Sequence, residues 1–363
     1  MEPINEALTF DDVLLVPRYS STLPSETSLA IDLSSKIKLK VPFLSSAMDT
    51  VTESKMALAI AKSGGLGVIH RNLNYKKQGN EVLKVKSKNF LVGAAVGTAN
   101  EDIIRAKHLI DCGVDLIVID TAHGHSKKVI SILNKVKKLK FTPPICVGNI
   151  ASAEAAKKLY NEGADIIKVG IGPGSICTTR MVAGVGVPQI SAILNVKKTL
   201  YKKKVKIISD GGIKFSGDLA KALAAGADAI MMGSIFAGTD ESPGKKFRFK
   251  NKFYKSYRGM GSIGAMSAGS ANRYFQKNQK DKSKFVAEGV EGRVIYKGSV
   301  KNIIYQLQGG LRSSMGYIGS KNISEIYKRA KFVKITKAGF YESMVHSVEQ
   351  TDKTLNFKLW KKI

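Results

Sequence analysis

One pattern recurs along this chain and limits what it can fold into. A helix-like segment ends at glycine and runs directly into a short apolar or β-branched stretch. Instances are "AKSGGLGVIH" (61–70), "IDCGVDLIVIDTAHG" (110–124), "YNEGADIIKVGIGPG" (160–174) and "LAAGADAIMMGS" (223–234). Glycine after a helix supplies a left-handed cap. A run that is apolar throughout, without alternation, is the mark of a parallel strand buried on both faces. Eight such runs can be collected: 43–48, 66–70, 91–96, 116–122, 145–150, 166–172, 206–212 and 229–234. Helical patterns such as "ESKMALAIAKS" and "SAEAAKKLYNEG" separate them. Eight strand–helix units in succession predict an α/β chain folded as a (β/α)8 TIM barrel. A doubly wound nucleotide fold would instead place G-x-G-x-x-G after its first strand. Here the first run ends in "SSAMDT", and "GIGPGS" follows the sixth.

A chain of 363 residues is within the range of a single barrel domain, taken here as 1–363. No apolar run reaches the ~20 residues that span a bilayer. The opening "MEPINEALTFDDVLLVPR" lacks the basic and apolar blocks of a secretory signal. Cys112, Cys146 and Cys177 are too few and too scattered for a disulfide frame, which suits a reducing cytoplasm. The net charge of +29 comes mainly from lysines spread over the predicted helices, as in "NVKKTLYKKKVK". Without aromatic interleaving or a zinc or RNA-binding signature, it reads as solvated surface and not as a nucleic-acid face. Such a field still draws in a phosphorylated substrate.

In a barrel, chemistry belongs at the C-terminal ends of the strands. Those ends carry Ser46 and Met48, Asp120, Asn149, the loop Gly170–Cys177, Asp210–Gly211–Gly212, and Gly233–Ser234. The seventh and eighth ends, "SDGG" and "MGS", offer small residues whose N–H groups can approach a phosphate. After Asn251 the alternation stops, and 254–294 is rich in Gly, Ser and Lys without a clear period. Such a segment in a compact enzyme reads as a mobile lid, here bearing Arg273 and Tyr274. A final amphipathic helix, "VKNIIYQLQGGLRSSMGY", is expected to pack back on the barrel.

Cys177 sits in "GIGPGSICTTR" (170–180), an exposed glycine-rich turn on the catalytic rim, whereas Cys112 and Cys146 read as packing residues. A loop thiol becomes a nucleophile when N–H groups or positive charge favour its thiolate. His123 and His125 in "TAHGHS" are either its partners or ordinary loop residues.

This loop resembles the active-site loop of the inosine 5′-monophosphate dehydrogenase and GMP reductase family. "ALTFDDVLLVPRYS", "PFLSSAMDTVTE", "VGNIAS", "VAGVGVPQ", "SDGGIKFSGD", "GSIFAGTDESPG" and "YRGMGS" resemble that family in the same order. The resemblance covers the barrel and the lid. In the dehydrogenases a flap delivers an Arg-Tyr pair, which the reductases lack, and "ANRYFQ" offers Arg273 and Tyr274. It therefore implies NAD-dependent oxidation of IMP to XMP in guanine nucleotide synthesis; the alternative is NADPH-dependent reduction of GMP. The family's pair of cystathionine-β-synthase-type modules is replaced by a short link at 74–90.

The resemblance also implies roles. Cys177 attacks C2 of the purine, Arg273 acts as base toward water, and Thr179 and Tyr274 hold or relay. Asp210 takes the ribose. Ser175, Gly211, Gly212, Gly233, Ser234 and Tyr257 cradle the phosphate. Gly259, Met260, Gly261 and Glu288 meet the hypoxanthine, with Ser46 and Met48 lining its pocket. Asp120, Thr121, Ala122, Asn149, Gly170, Ile171 and Gly172 meet NAD. Carbonyls of Gly172, Gly174 and Cys177 resemble the family's potassium site. Glu342, Ser343 and Met344, in a C-terminal segment 335–363, are candidates to complete that site on a neighbouring copy in a homotetramer. A barrel retired from catalysis would have lost Cys177, Thr179 or Arg273, and all three are present.

Overall fold

The computed structural model describes residues 4, 6–274, 276, 279 and 281–348. Eight parallel strands close into a barrel: β1 (Phe43–Ser45), β2 (Leu66–Ile69), β3 (Val92–Val96), β4 (Leu116–Asp120), β5 (Ile145–Ile150), β6 (Ile166–Val169), β7 (Lys206–Asp210) and β8 (Ala229–Met232). They pair in chain order, and β8 closes the ring on β1. The connecting helices are α1 (Ser54–Lys62), α2 (Tyr75–Lys86), α3 (Glu101–Asp111), α4 (Lys127–Lys137), α5 (Ala153–Asn161), α6 (Gln189–Thr199), α7 (Ser216–Ala224) and α8 (Val300–Ile318). The (β/α)8 barrel expected from the glycine-punctuated repeat is the observed fold.

Each strand is apolar at successive positions because its two faces meet different cores. On β4, Leu116 and Val118 join Val68, Cys146, Ile166 and Ile208 inside the barrel. Ile117 and Ile119 join the outer core, which holds helix residues such as Leu109 and Leu133. Since side chains alternate along a strand, the next inward position after Val118 is Asp120. After Ile166 it is Lys168, and after Ile208 it is Asp210. The apolar plug is thus capped at the C-terminal rim by a charged layer, and the site lies over it.

α2 alone leads from β2 to β3, so the chain lacks the module insert. Its first turn is capped by Asn74, whose side chain accepts the Lys77 N–H at 2.8 Å. α8 buries Val300, Ile304, Leu307, Leu311 and Met315 at helical spacing, and it packs against α7 as expected of the last amphipathic helix. No helix among the described residues is long and apolar enough to cross a membrane.

The segment 254–294 is more ordered than its composition suggests. Strands β9 (Lys246–Phe249), β10 (Lys252–Arg258) and β11 (Glu291–Ile295) form an antiparallel sheet. Pairing joins Tyr254 to Ile295 and Tyr257 to Gly292, partners too distant in sequence to leave a local period. Between β10 and β11 the described residues form short helical turns at Ile263–Ala265, Met266–Ser270 and Ala271–Tyr274.

Candidate active site

A cleft of about 990 Å³, open mouth included, lies over the charged layer. Its floor and one wall are the loop after β6. That loop needs glycine where backbone meets backbone: Gly170 has φ +153°, and a Cβ there would stand 2.1 Å from the Asp210 carbonyl oxygen. Arg180 braces the loop from behind, with Nε donating to the Ile171 carbonyl at 3.1 Å and a second N–H to the Val187 carbonyl at 2.6 Å.

Cys177 is half-buried and lines the cleft. Its thiol donates to Thr179 Oγ1 at 3.3 Å, and the Thr179 hydroxyl donates to Glu288 Oε2 at 2.7 Å. Glu288 reaches the loop because the lid's returning strand is laced to it. Thr178 N–H donates to the Glu288 carbonyl at 2.9 Å, and Val290 N–H to the Ile176 carbonyl at 3.0 Å. A carboxylate at the end of a thiol–hydroxyl chain can receive a proton released in the cleft.

The lid is docked. Arg273 forms an ion pair with Asp120, and the Ala122 N–H donates to the Arg273 carbonyl at 3.3 Å. Tyr274 lines the cleft beside it, its hydroxyl pushed to higher pKa by burial. A Cβ on Gly261 would fall 2.7 Å from Tyr274 Cζ, so the Tyr274 ring packs against a bare backbone. Gly261 lies behind the cleft-lining residues; Gly259 and Met260 line the cleft directly.

Opposite, Asp210 accepts from Asn149 Nδ2 at 2.9 Å. Ser46, Met48, Ser175, Gly211, Gly212, Gly233, Ser234 and Tyr257 line the adjoining end. A Cβ on Gly233 would stand 3.1 Å from both Met48 Sδ and Tyr257 Oη, which explains the bare backbone. Burial pushes the Tyr257 hydroxyl up, against the opposing pull of its hydrogen bond with Ser175. Asp120, Thr121, Ala122, Asn149, Gly170, Ile171, Gly172 and Gly174 line the remaining wall.

The structure leaves other candidates apart. His123 and His125 face each other edge-on, with centroids 6.3 Å apart, and neither lines the cleft. Cys112 and Cys146 are buried, and burial pushes the Cys146 thiol up to about 12. Glu342 ends a short helix, Lys337–Glu342, with Ser343 and Met344 just beyond it, and none of the three lines the cleft; residues 349–363 of that segment lie outside the described residues. No group of three His, Cys, Asp or Glu able to hold a metal occurs among the described residues. Lys168, under the cleft, escaped the sequence reading. Its one signal was a lysine at an inward position of the apolar run "IIKVG".

Residues 7–346 match the family described as IMP dehydrogenase / GMP reductase domain. The chain belongs to the IMP dehydrogenase / GMP reductase family. It is 48% identical to an inosine-5'-monophosphate dehydrogenase of Cryptosporidium parvum, with 98% of each chain covered. A Borreliella burgdorferi protein of the same name is 47% identical over 94% of this chain and 97% of its own. One from Aquifex aeolicus is 40% identical, over 98% of each. Its alignment runs to 483 positions against the 363 residues here, so that member of the family carries sequence absent from this chain. The family assignment makes this chain an oxidoreductase.

Proposed function

We propose that this chain oxidises IMP to XMP with NAD⁺ through a covalent adduct on Cys177. The observation that carries the reading is the pairing of a cleft thiol, linked to Thr179 and Glu288, with a docked Arg273–Tyr274 lid. Only a reaction that must hydrolyse its adduct has use for that second set of residues.

The Cys177 thiol loses its proton to solvent through Thr179 and Glu288, the sulfur adds to C2 of the purine, and the hydride on C2 leaves with its electron pair. NAD⁺, when bound, supplies the acceptor for that hydride. The product of this step is a thioimidate between Sγ and C2. Water then attacks C2, the C–S bond breaks, and XMP leaves with the thiol restored. The water's proton has two routes, to Arg273 or through Thr179 to Glu288. An arginine accepts a proton only from its neutral form, which is scarce at neutral pH; the Glu288 route uses a carboxylate.

Asp210 is suited to the substrate's ribose hydroxyls, and Ser175, Gly212, Gly233, Ser234 and Tyr257 to its phosphate. For the cofactor, fit rests on Asp120 and Ala122. Arg273 takes one oxygen of the Asp120 carboxylate and the Arg273 carbonyl takes the Ala122 N–H, while the barrel's Lys168 holds the other Asp120 oxygen. Lifting Arg273 opens both to a nucleotide's ribose, so lid and cofactor take turns in one place. Carbonyls of Gly172, Gly174 and Cys177 suit a hard monovalent cation. The Gly174 carbonyl accepts the Cys177 N–H at 3.1 Å and keeps a second lone pair. A cation there would hold the loop's dipoles together, with Glu342–Met344 of a neighbouring copy as the remaining donors in a homotetramer.

The test follows NADH absorbance with IMP and NAD⁺, for wild type and Cys177→Ala, in potassium and again in lithium buffer. A signal in wild type that falls to background in the variant, and weakens in lithium, supports the reading. NADPH oxidation with GMP, in place of NADH formation, would move the chain to the reductase branch.

A further inference from the structure

Lys168 enters none of these steps, yet it lies directly beneath them. Its side chain projects from β6 into the barrel and is 2% exposed. The ammonium donates to Asp120 Oδ1 at 2.9 Å, to Asp210 Oδ2 at 2.7 Å and to Asn149 Oδ1. An ammonium has three N–H groups, and all three are used. Room for its stem comes from β5: a Cβ on Gly148 would stand 2.7 Å from Lys168 Cβ. A barrel built only for stability would continue the aliphatic layer below, since a buried cation is costly unless paired. Here one cation bridges two carboxylates on strands that are not neighbours. One of those carboxylates meets the lid; the other faces the opposite end of the cleft.

We propose, resting on the dehydrogenase reading, that Lys168 is a positioning residue that holds Asp120 and Asp210 as anions aimed into the cleft. Asp210 is thereby kept as an acceptor for the substrate's ribose, and Asp120 as the shared partner of Arg273 and the cofactor's ribose. The charged or titratable groups around the ammonium are Asp120 on β4, Cys146 on β5 and Asp210 on β7. Arg273 stands behind Asp120, and Tyr257 and Cys177 stand near Asp210. Without the cation, two carboxylates share one buried pocket, and one of them takes up a proton more readily.

The experiment compares wild type, Lys168→Met, Asp210→Asn and the double variant. It measures the dissociation constant for IMP by calorimetry and the pH profile of NADH formation. Lys168→Met is expected to weaken IMP by about tenfold or more and to move the acid limb of kcat/KM to higher pH. In the Asp210→Asn background the same substitution should cost IMP affinity little, because the carboxylate it served is already neutral. Should Lys168→Met fail to fold, Lys168→Gln, which keeps a donor to the carboxylates but not the charge, takes its place in the same cycle. Additive losses across the cycle, with an unmoved acid limb, would mean a structural lysine and overturn the proposal. A wild type that forms no NADH but binds IMP sinks the dehydrogenase reading alone, and the binding cycle still decides the role of Lys168.

Discussion

Cys177 has its setting because each neighbour does one job. Gly170 lets the loop touch the Asp210 backbone, Arg180 braces it, and Thr179 connects the thiol to Glu288. Cys177 and Asp210 stood out in sequence, since a thiol or carboxylate at a strand's C-terminal end in a barrel has few bland uses, whereas Thr179 came only through the family resemblance. Glu288 was expected against the hypoxanthine; it lines the cleft and is also the acceptor for Thr179, which no spacing discloses. Lys168 was illegible because its partners lie 48 and 42 residues away. At this scale Arg273→Ala is expected to spare the first hydride transfer and slow hydrolysis by about 10²–10⁴-fold. Rapid mixing should then show a burst of about one NADH per site before a slow phase. A uniformly slow trace with no burst would place Arg273 in the first step instead.

Elements here support one another across the turns that join them. α1 begins at Ser54 after Glu53, whose side chain makes no capping hydrogen bond. The missing acceptor comes from the next helix: Glu81 Oε2 on α2 accepts the Ser54 N–H at 2.8 Å. Burial alone would raise the Glu81 pKa, but hydrogen bonds from Lys84 and Ser54 outweigh it and hold it below 4.5. A carboxylate depressed in the folded state contributes stability above its unfolded pKa, and that contribution is lost as pH falls through the folded value. Glu81→Gln is therefore expected to cost about 0.5–1 kcal/mol at neutral pH, with the gap to wild type closing in acid below pH 4.5. Urea melts at two pH values check it; a gap unchanged in acid would assign the loss to packing. The helices and barrel strands were readable because their periods are local. The pairing of β10 with β11 was not, since it spans the lid, whereas the β9–β10 hairpin turns locally at Lys250 and Asn251.

For the whole molecule, the charge of +29 sits on a solvated lysine surface whose field attracts a phosphorylated substrate. The Debye length falls from ~10 Å at 0.1 M salt to ~3 Å at 1 M. Raising ionic strength at fixed potassium should increase KM for IMP several-fold and leave kcat nearly unchanged; a fall in kcat alone would show that salt acts on the lid or on assembly. The sequence by itself determined the barrel and the rim on which its polar and glycine residues collect. It could do so because each strand–helix unit carries its own cap, its own period and its own two buried faces. Only the tertiary structure decided which rim residues meet. Ring closure brings the C-terminal ends of eight strands into one circle. There Thr179 finds Glu288 from 109 residues away, Arg273 finds Asp120, and one buried lysine lies between two carboxylates. Those meetings depend on strand register and on the curvature of a closed sheet, which no local stretch of the chain encodes.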